Sequence, residues 1–171
     1  MKLLLSILFS CCFIQLHANN IKVGKHQKYQ TITAAVAASK PGDTIIVDPG
    51  VYREKNLIIN KPLVLTGINH PVLDGEGKYE IISVKSGNVT INGFKLKHTG
   101  VSSMEDYAAI KIYNSKNVTV INNIIQDAFF GIYSQYGINC LIQNNTITAK
   151  NKEEQQSGNG IHCLKSDSLR I

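Results

Sequence analysis

The sequence predicts an all-β protein, a parallel β-solenoid with one short helix near its start. Three observations lead there. The later part repeats itself: NVTINGFKL (88–96), NVTVINNII (117–125), NCLIQNNTI (139–147) and SLRI (168–171) align without gaps, each seven residues after an isoleucine. Within each unit apolar residues alternate with others (Val89 and Ile91, Val118 and Val120, Cys140 and Ile142), the period of a strand with one buried face. The isoleucines that open the units, Ile81, Ile110, Ile132 and Ile161, are spaced 29, 22 and 29 residues apart. A unit of 22 residues is too short for strand, crossover helix and strand, which needs about 30. It is the length of one solenoid coil, hydrogen-bonded to the coils above and below.

Residues 1–18 read as a signal peptide. Lys2 precedes an apolar run from Leu3 to Leu16, and Ala18 stands at a plausible cleavage point. That run falls short of the roughly 20 residues a membrane span needs, so residues 19–171 are expected to form an exported, periplasmic domain without a membrane span. TITAAVAAS (31–39), ended by Lys40-Pro41-Gly42, reads as a short helix that caps the open end of the solenoid. TIIV (44–47) reads as the first strand and Asp48-Pro49-Gly50 as its turn, and PLVLTG (62–67) matches NVTING (88–93) as a weaker early repeat. From Ile81 onward two interior columns are expected: Ile81, Ile110, Ile132 and Ile161 in one, and Val89, Val118, Cys140 and Leu169 in the other. Asparagines at 122, 123, 144 and 145 suit corners, since Asn tolerates left-handed backbone and its amide can bond to an amide one coil away. The chain stops four residues into a repeat, so the solenoid is read as C-terminally incomplete.

Eighteen Lys and Arg against twelve Asp and Glu leave a formal charge of +6. The basic residues are scattered singly, unlike a nucleic-acid footprint, and no nucleic-acid partner is expected. Cys140 and Cys163 remain after the signal and read as small core residues rather than a disulfide. The sequons at Asn88, Asn117 and Asn144 read as structural corners.

KPGDTIIVDPGVYRE (40–54) resembles the N-terminal segment of right-handed parallel β-helix proteins such as pectate lyases and pectin methylesterases. KPLVLTGINHPVLDGEG (61–77), NVTINGFKLKHTGVSSMEDYAAIKI (88–112), FFGIY (129–133) and QQSGNGIH (155–162) resemble, in this order, the N-terminal part of the periplasmic NosD family. That resemblance implies a right-handed, pectin-lyase-like β-helix. It also implies a non-enzymatic accessory role in nitrous oxide reductase maturation, assembling the copper–sulfur centre with an ABC transporter and a copper-chaperone lipoprotein. The alternative is a carbohydrate-active β-helix protein, a polysaccharide lyase or pectinesterase relative.

Alternation points Lys111, Tyr133 and His162 outward in three successive coils, as a row on a solvated face able to hold an anion. His162 is a candidate copper ligand, since neutral imidazole suits copper. Spacing marks a second region. From Leu96 to Ile110 and from Ile147 to Ile161 there are fourteen positions, but from Ile125 to Ile132 only seven. The extra residues should leave one edge as two loops, HTGVSSMEDY (98–107) and AKNKEEQQSGN (149–159), with QDAFF (126–130) as the floor between them. Their soft and polar groups, His98, Met104, Glu105, Gln155 and Gln156, are candidate partner contacts together with Lys111 and Tyr133; His98 and Met104 join His162 as candidate metal ligands. Asp74 with Glu76, and Glu105 with Asp106, are read as loop charges, and no catalytic residue or resident cofactor is assigned.

Overall fold

The computed structural model describes residues 18–102, 104–149 and 158–171, so the signal segment lies outside the described residues apart from Ala18. In chain order the elements are β1 (Asn20–Val23), α1 (Ile32–Ala38), β2 (Thr44–Val47), β3 (Val51–Tyr52), β4 (Leu57–Ile59), β5 (Leu63–Gly67), β6 (Val72–Asp74), β7 (Ile82–Val84) and β8 (Val89–Asn92). They continue with β9 (Lys95–Lys97), β10 (Ala108–Tyr113), β11 (Thr119–Ile121), β12 (Ile124–Gln126), β13 (Phe130–Gln135), β14 (Leu141–Gln143), β15 (Thr146–Thr148) and β16 (Ile161–Leu164).

From β2 onward every third strand joins the same sheet, as a solenoid requires. The first sheet runs β1-β2-β5-β8-β11-β14, the second β3-β6-β9-β12-β15 and the third β4-β7-β10-β13-β16, with parallel pairing. TIIV is β2, as expected, but it is the second strand: β1 precedes the helix and pairs with it.

Helix α1 fits its expected span, with Thr31 as N-cap and Ser39 as C-cap. Its ends are secured by residues from later coils. The Glu54 carboxylate accepts from the backbone N–H groups of Ile32 (2.7 Å) and Thr33 (2.8 Å), and Lys61 Nζ donates to the carbonyls of Val36 (3.0 Å) and Ser39 (2.8 Å). A negative charge at the start and a positive one at the end satisfy orphan backbone groups and complement the helix dipole. Buried Ile32, Ala35 and Val36 close the end of the hydrophobic core.

Inside, apolar residues stack in register. Ile45, Leu65, Ile91, Val120 and Ile142 form one column, and Leu73, Leu96, Ile125 and Ile147 another. The Val89, Val118, Cys140 and Leu169 column stands as expected, but the other is corrected at its first member: Ile110 pairs with Ile82, not Ile81. The corner between β7 and β8, Lys85 to Asn88, is one residue shorter than Tyr113 to Asn117 in the next coil, and a gap-free alignment carries that shortening into the preceding strand as a slip of one. Ile81 still reaches the core from the turn before β7, at 4% exposure.

Cys140 is buried, while Cys163 is exposed, contrary to expectation. It continues the column of Val84, Ile112 and Ser134, but β16 is the last strand of its sheet in the described structure. Both thiols are free.

The short corners carry the asparagine ladders. Asn117 Nδ2 donates to Asn88 Oδ1 (3.0 Å), Asn139 Nδ2 to Asn117 Oδ1 (2.8 Å) and Asn122 Nδ2 to Asn92 Oδ1 (2.9 Å). Asn88, Asn117, Asn122, Asn139 and Asn144 all have positive φ, the left-handed backbone that Asn tolerates better than most residues. Asn123, 1% exposed, ties three coils: its Oδ1 accepts from Phe94 N–H (3.0 Å) and its Nδ2 donates to Asn145 Oδ1 (3.0 Å) and the Ile91 carbonyl (3.2 Å).

Candidate functional site: an outer face and the edge beside it

The third sheet brings the expected outward row together. Register aligns Ile58, Ser83, Lys111, Tyr133 and His162 across five strands. The middle of the row is covered rather than solvated, a correction to the sequence reading: Lys111 is 8% and Tyr133 3% exposed, while Ile58 at one end is 46% exposed. Lys111 Nζ donates to the Asp106 carbonyl (3.0 Å), at the end of the 98–107 loop, and lies 4.9 Å from the Tyr113 ring and 4.8 Å from the Tyr133 ring. A cation over two aromatic faces, with a carbonyl acceptor, is well held without direct solvation.

Beside it lies a group that sequence reasoning missed. Glu80, 3% exposed, accepts from Tyr113 Oη (3.1 and 3.2 Å to its two oxygens) and from Ser83 Oγ. Burial pushes the Glu80 carboxyl above its ordinary range, opposed by the bonds from Ser83 and Tyr113 and by the charges of Lys111 and Lys85. Tyr113 is raised by its own burial and then by the Glu80 charge. A Glu just before a strand gives no periodic signal, so only the fold shows it turned under the sheet face.

On the other side of Tyr133 the rings pack together. Tyr133 and His162 meet edge to face at 4.7 Å, Phe130 lies 5.2 Å from Tyr133 and 5.1 Å from His162, and Phe129 lies 4.8 Å from Phe130. The amide of Asn159 lies 3.2 Å from His162 Nδ1.

The edge is arranged as the spacing implied. Phe130 N–H donates to the Tyr107 carbonyl (3.1 Å) at the end of the first loop, and Gly158 N–H donates to the Phe129 carbonyl (2.8 Å) near the end of the second. The short corner therefore sits between the two. A Cβ on Gly131 would stand 2.3 Å from the Gly160 carbonyl, so the chains meet here as closely as glycine allows. Ser102 Oγ accepts from the N–H groups of Met104 (3.1 Å) and Glu105 (3.2 Å), and this turn holds Met104 in solvent at 91% exposure. Gln155 and Gln156 lie outside the described residues.

His98, at the root of the first loop, lies in the corner after β9, whereas His162 lies within strand β16. Its Nδ1 lies 2.9 Å from Asp74 Oδ1 and its Nε2 3.7 Å from Asp127 Oδ2, while Lys97 Nζ lies 3.4 Å from Asp74 Oδ2. Burial raises the Asp74 carboxyl, but the Glu76 N–H bond, His98 and Lys97 outweigh it and the net shift is downward. His98, Met104 and His162 are thus not brought to one point, and among the described residues no group of three or more His, Cys, Asp or Glu side chains is arranged to hold a metal ion. Among those residues no helix is long and apolar enough to cross a membrane.

Residues 52–171 match the family model described as the right handed beta helix region. The chain belongs to the right-handed β-helix family. Among curated proteins this β-helix is 29% identical over 109 residues to the probable ABC transporter binding protein NosD of Pseudomonas aeruginosa, covering 63% of this chain and 26% of that protein. It is 32% identical over 97 residues to a cell surface glycoprotein of Methanothermus fervidus, covering 56% of this chain and 15% of that one. The chain therefore spans about a quarter or less of the length of these relatives. Among solved structures, the pectin methylesterase of Aspergillus niger aligns over 87% of this chain and 72% of its own, with 15% identity and a TM-score of 0.36.

Proposed function

We propose that this β-helix is an exported, non-enzymatic binding scaffold of the NosD type, acting in the periplasm in the maturation of nitrous oxide reductase. In this reading it assists assembly of the reductase's copper–sulfur centre together with an ABC transporter and a copper-chaperone lipoprotein. The observation that carries the reading is the edge where the described ends of both long loops, Tyr107 and Gly158, hydrogen-bond to the Phe129–Phe130 corner. Exposed Val101 (53%) and Met104 (91%) lie on the first of these loops, and the corner itself carries an aromatic cluster that continues onto the sheet. Loops on a rigid scaffold are where binding concentrates, and Met and aromatic side chains are enriched in protein interfaces. The similarity to NosD supports the partner class. Asp74 and Glu80 are both engaged in internal contacts, which supports positioning roles rather than sugar-bond chemistry.

Shortening both loops to the length of the 127–129 corner, in the organism that carries the gene, tests the proposal. The variant should keep its far-ultraviolet circular dichroism and melting behaviour, and the host should lose active nitrous oxide reductase. Full reductase activity with the shortened loops would refute it.

A further inference from the structure

Lysines that stand apart in the sequence meet at one corner of the solenoid. Between the third sheet and the first the chain turns at 60–62, 85–88, 114–118, 136–140 and 165–169. Those turns hold Lys61, Lys85, Lys116 and Lys165, with Asp167 as their one carboxylate among the described residues. Carboxylates gather instead at the corner between the second and third sheets, Glu76, Glu105, Asp106 and Asp127 among them. Lys61 is engaged by carbonyls of α1, whereas Lys85, Lys116 and Lys165 are exposed. A shallow depression opens beside them, with Lys85, Gly87, Asn114, Lys116 and Ile138 in its lining.

Two large apolar side chains stand among these cations, Tyr136 at 42% and Ile138 at 51% exposure. Tyr113, Gln135 and Leu164 pair as the last residues of β10, β13 and β16, so Asn114, Tyr136 and Lys165 follow one another in the next column. Lys116 pairs with Ile138 in a column beside it. Each apolar residue therefore has a lysine one coil away, its backbone about 4.8 Å off. The turn beneath them is pinned. Gly137 N–H donates to Ser166 Oγ (3.1 Å), Ile138 N–H donates to the Ser115 carbonyl (3.0 Å), and a Cβ on Gly137 would stand 2.3 Å from Ser134 Oγ. Tyr136 is held there at a φ of 56°, a left-handed backbone that suits Asn114 in the same column better than a bulky ring. A fixed turn thus keeps a tyrosine and an isoleucine in water between lysines.

We propose that this corner is a ridge that docks the protein on an anionic phospholipid surface: Lys85, Lys116 and Lys165 meet headgroup phosphates, and Tyr136 and Ile138 enter the boundary between headgroups and acyl chains. Cations beside a negative surface and apolar side chains at its boundary act together, since either signal alone gives only marginal binding. Tyrosine suits that depth, because its ring is apolar and its hydroxyl stays wet. The depression between Lys85 and Lys116 offers a phosphate a seat with a cation on either side. A folded protein partner is a poorer fit. From Lys85 to Lys165 the ridge crosses β7, β10, β13 and β16, roughly 14 Å of coil spacing, and is one turn wide. A stable protein interface takes about 800 Å² from each partner. A bilayer yields to a narrow ridge and needs no matching shape. The ridge and the two-loop edge occupy different corners, so the inference does not depend on what the loops bind.

Flotation of the purified protein with vesicles of phosphatidylglycerol and phosphatidylethanolamine, against vesicles of phosphatidylcholine, tests the ridge. Binding to the anionic vesicles alone is expected, with release near 1 M salt, where screening reaches within about 3 Å. Lys116→Gln and Lys165→Gln should each weaken it about fivefold, and Ile138→Ser at least about threefold, for a side chain partly withdrawn from the interface. Lys78→Gln makes the same charge change at the other corner and should leave binding unchanged. Lipids with a nitroxide on the acyl chain should broaden the Ile138 methyl NMR signals; if a variant is unfolded by circular dichroism, this broadening in the unmodified protein decides. Equal binding to both kinds of vesicle, an equal loss in Lys78→Gln, or no broadening at Ile138 overturns the proposal. So does soluble glycerol phosphate that moves the ridge signals with the affinity seen for vesicles, because the ligand is then a free anion, or retention of an acidic protein without any vesicle binding. These readouts use the isolated protein and are separate from reductase activity in cells.

Discussion

The corner between the first and second sheets and the corner between the second and third are made by the same repeat, yet they hold the chain in different ways. The former is two residues long in each of the last three coils, 93–94, 122–123 and 144–145, and constant length lets like side chains stack, as Asn123 does on Asn145. The latter runs from 98 to 107, from 127 to 129 and from 149 to 160, and unequal length forbids a ladder. There the chain is held by unlike pairs instead, His98 on Asp74, Lys111 on the Asp106 carbonyl and Phe130 on the Tyr107 carbonyl. Regular spacing produces interchangeable contacts; irregular spacing produces individual ones, and individual contacts are what a specific surface needs.

The sharpest way to break the comparison is to remove one rung of the constant corner. Asn123→Leu keeps roughly the side-chain volume but leaves the buried Phe94 N–H and the Ile91 carbonyl without this partner. A cost of about 2–4 kcal/mol is expected, of the order of two buried polar groups left unpaired, read as a lower urea midpoint with an unchanged slope. A cost below about 0.5 kcal/mol, within the range of an ordinary surface substitution, would show that the ladder is not what holds this corner.

On the irregular side the corresponding test is a pH slope. The folded-state pKa of Glu80 is raised, so the stabilisation it contributes is fully present below its unfolded value, about 4.3, and is lost as pH rises through the folded value. Glu80→Gln cannot ionise. From pH 4 upward, about the start of that window, the urea midpoint of the unmodified protein should fall relative to that of the variant; parallel profiles would mean that Glu80 is not held as described.

The smallest effect is expected at the exposed ladder. Asn117→Ala removes two amide bonds, to Asn88 and from Asn139, at a position with φ of 57°. Solvent can replace the bonds, so a loss of about 1 kcal/mol is expected, from the left-handed backbone and exchanged hydrogen bonds together. Asn117→Gly should recover part of it, because glycine accepts that backbone freely; no recovery would assign the loss to the amides alone.

Strand period, coil length, the helix at 32–38 and the outward row of Lys111, Tyr133 and His162 were all legible from the sequence, because alternation and spacing are properties of the chain itself. The two-loop edge was legible for the same reason, as a count of residues between fixed points. The Ile81 to Ile82 slip shows the limit of that method: a corner shortened by one residue shifts the facing of the strand on one side of it, and only the paired strand reveals which side absorbs it. The cover over Lys111, the turning of Glu80 under Tyr113 and the seating of His98 between Asp74 and Asp127 were decided by tertiary structure alone. Glu80 and Tyr113 are 33 residues apart and His98 and Asp74 are 24 apart. Neither pair lies at equivalent positions of the repeat, so spacing gives no sign that they meet; they do so because the coils stack and the corners fold back over the sheet.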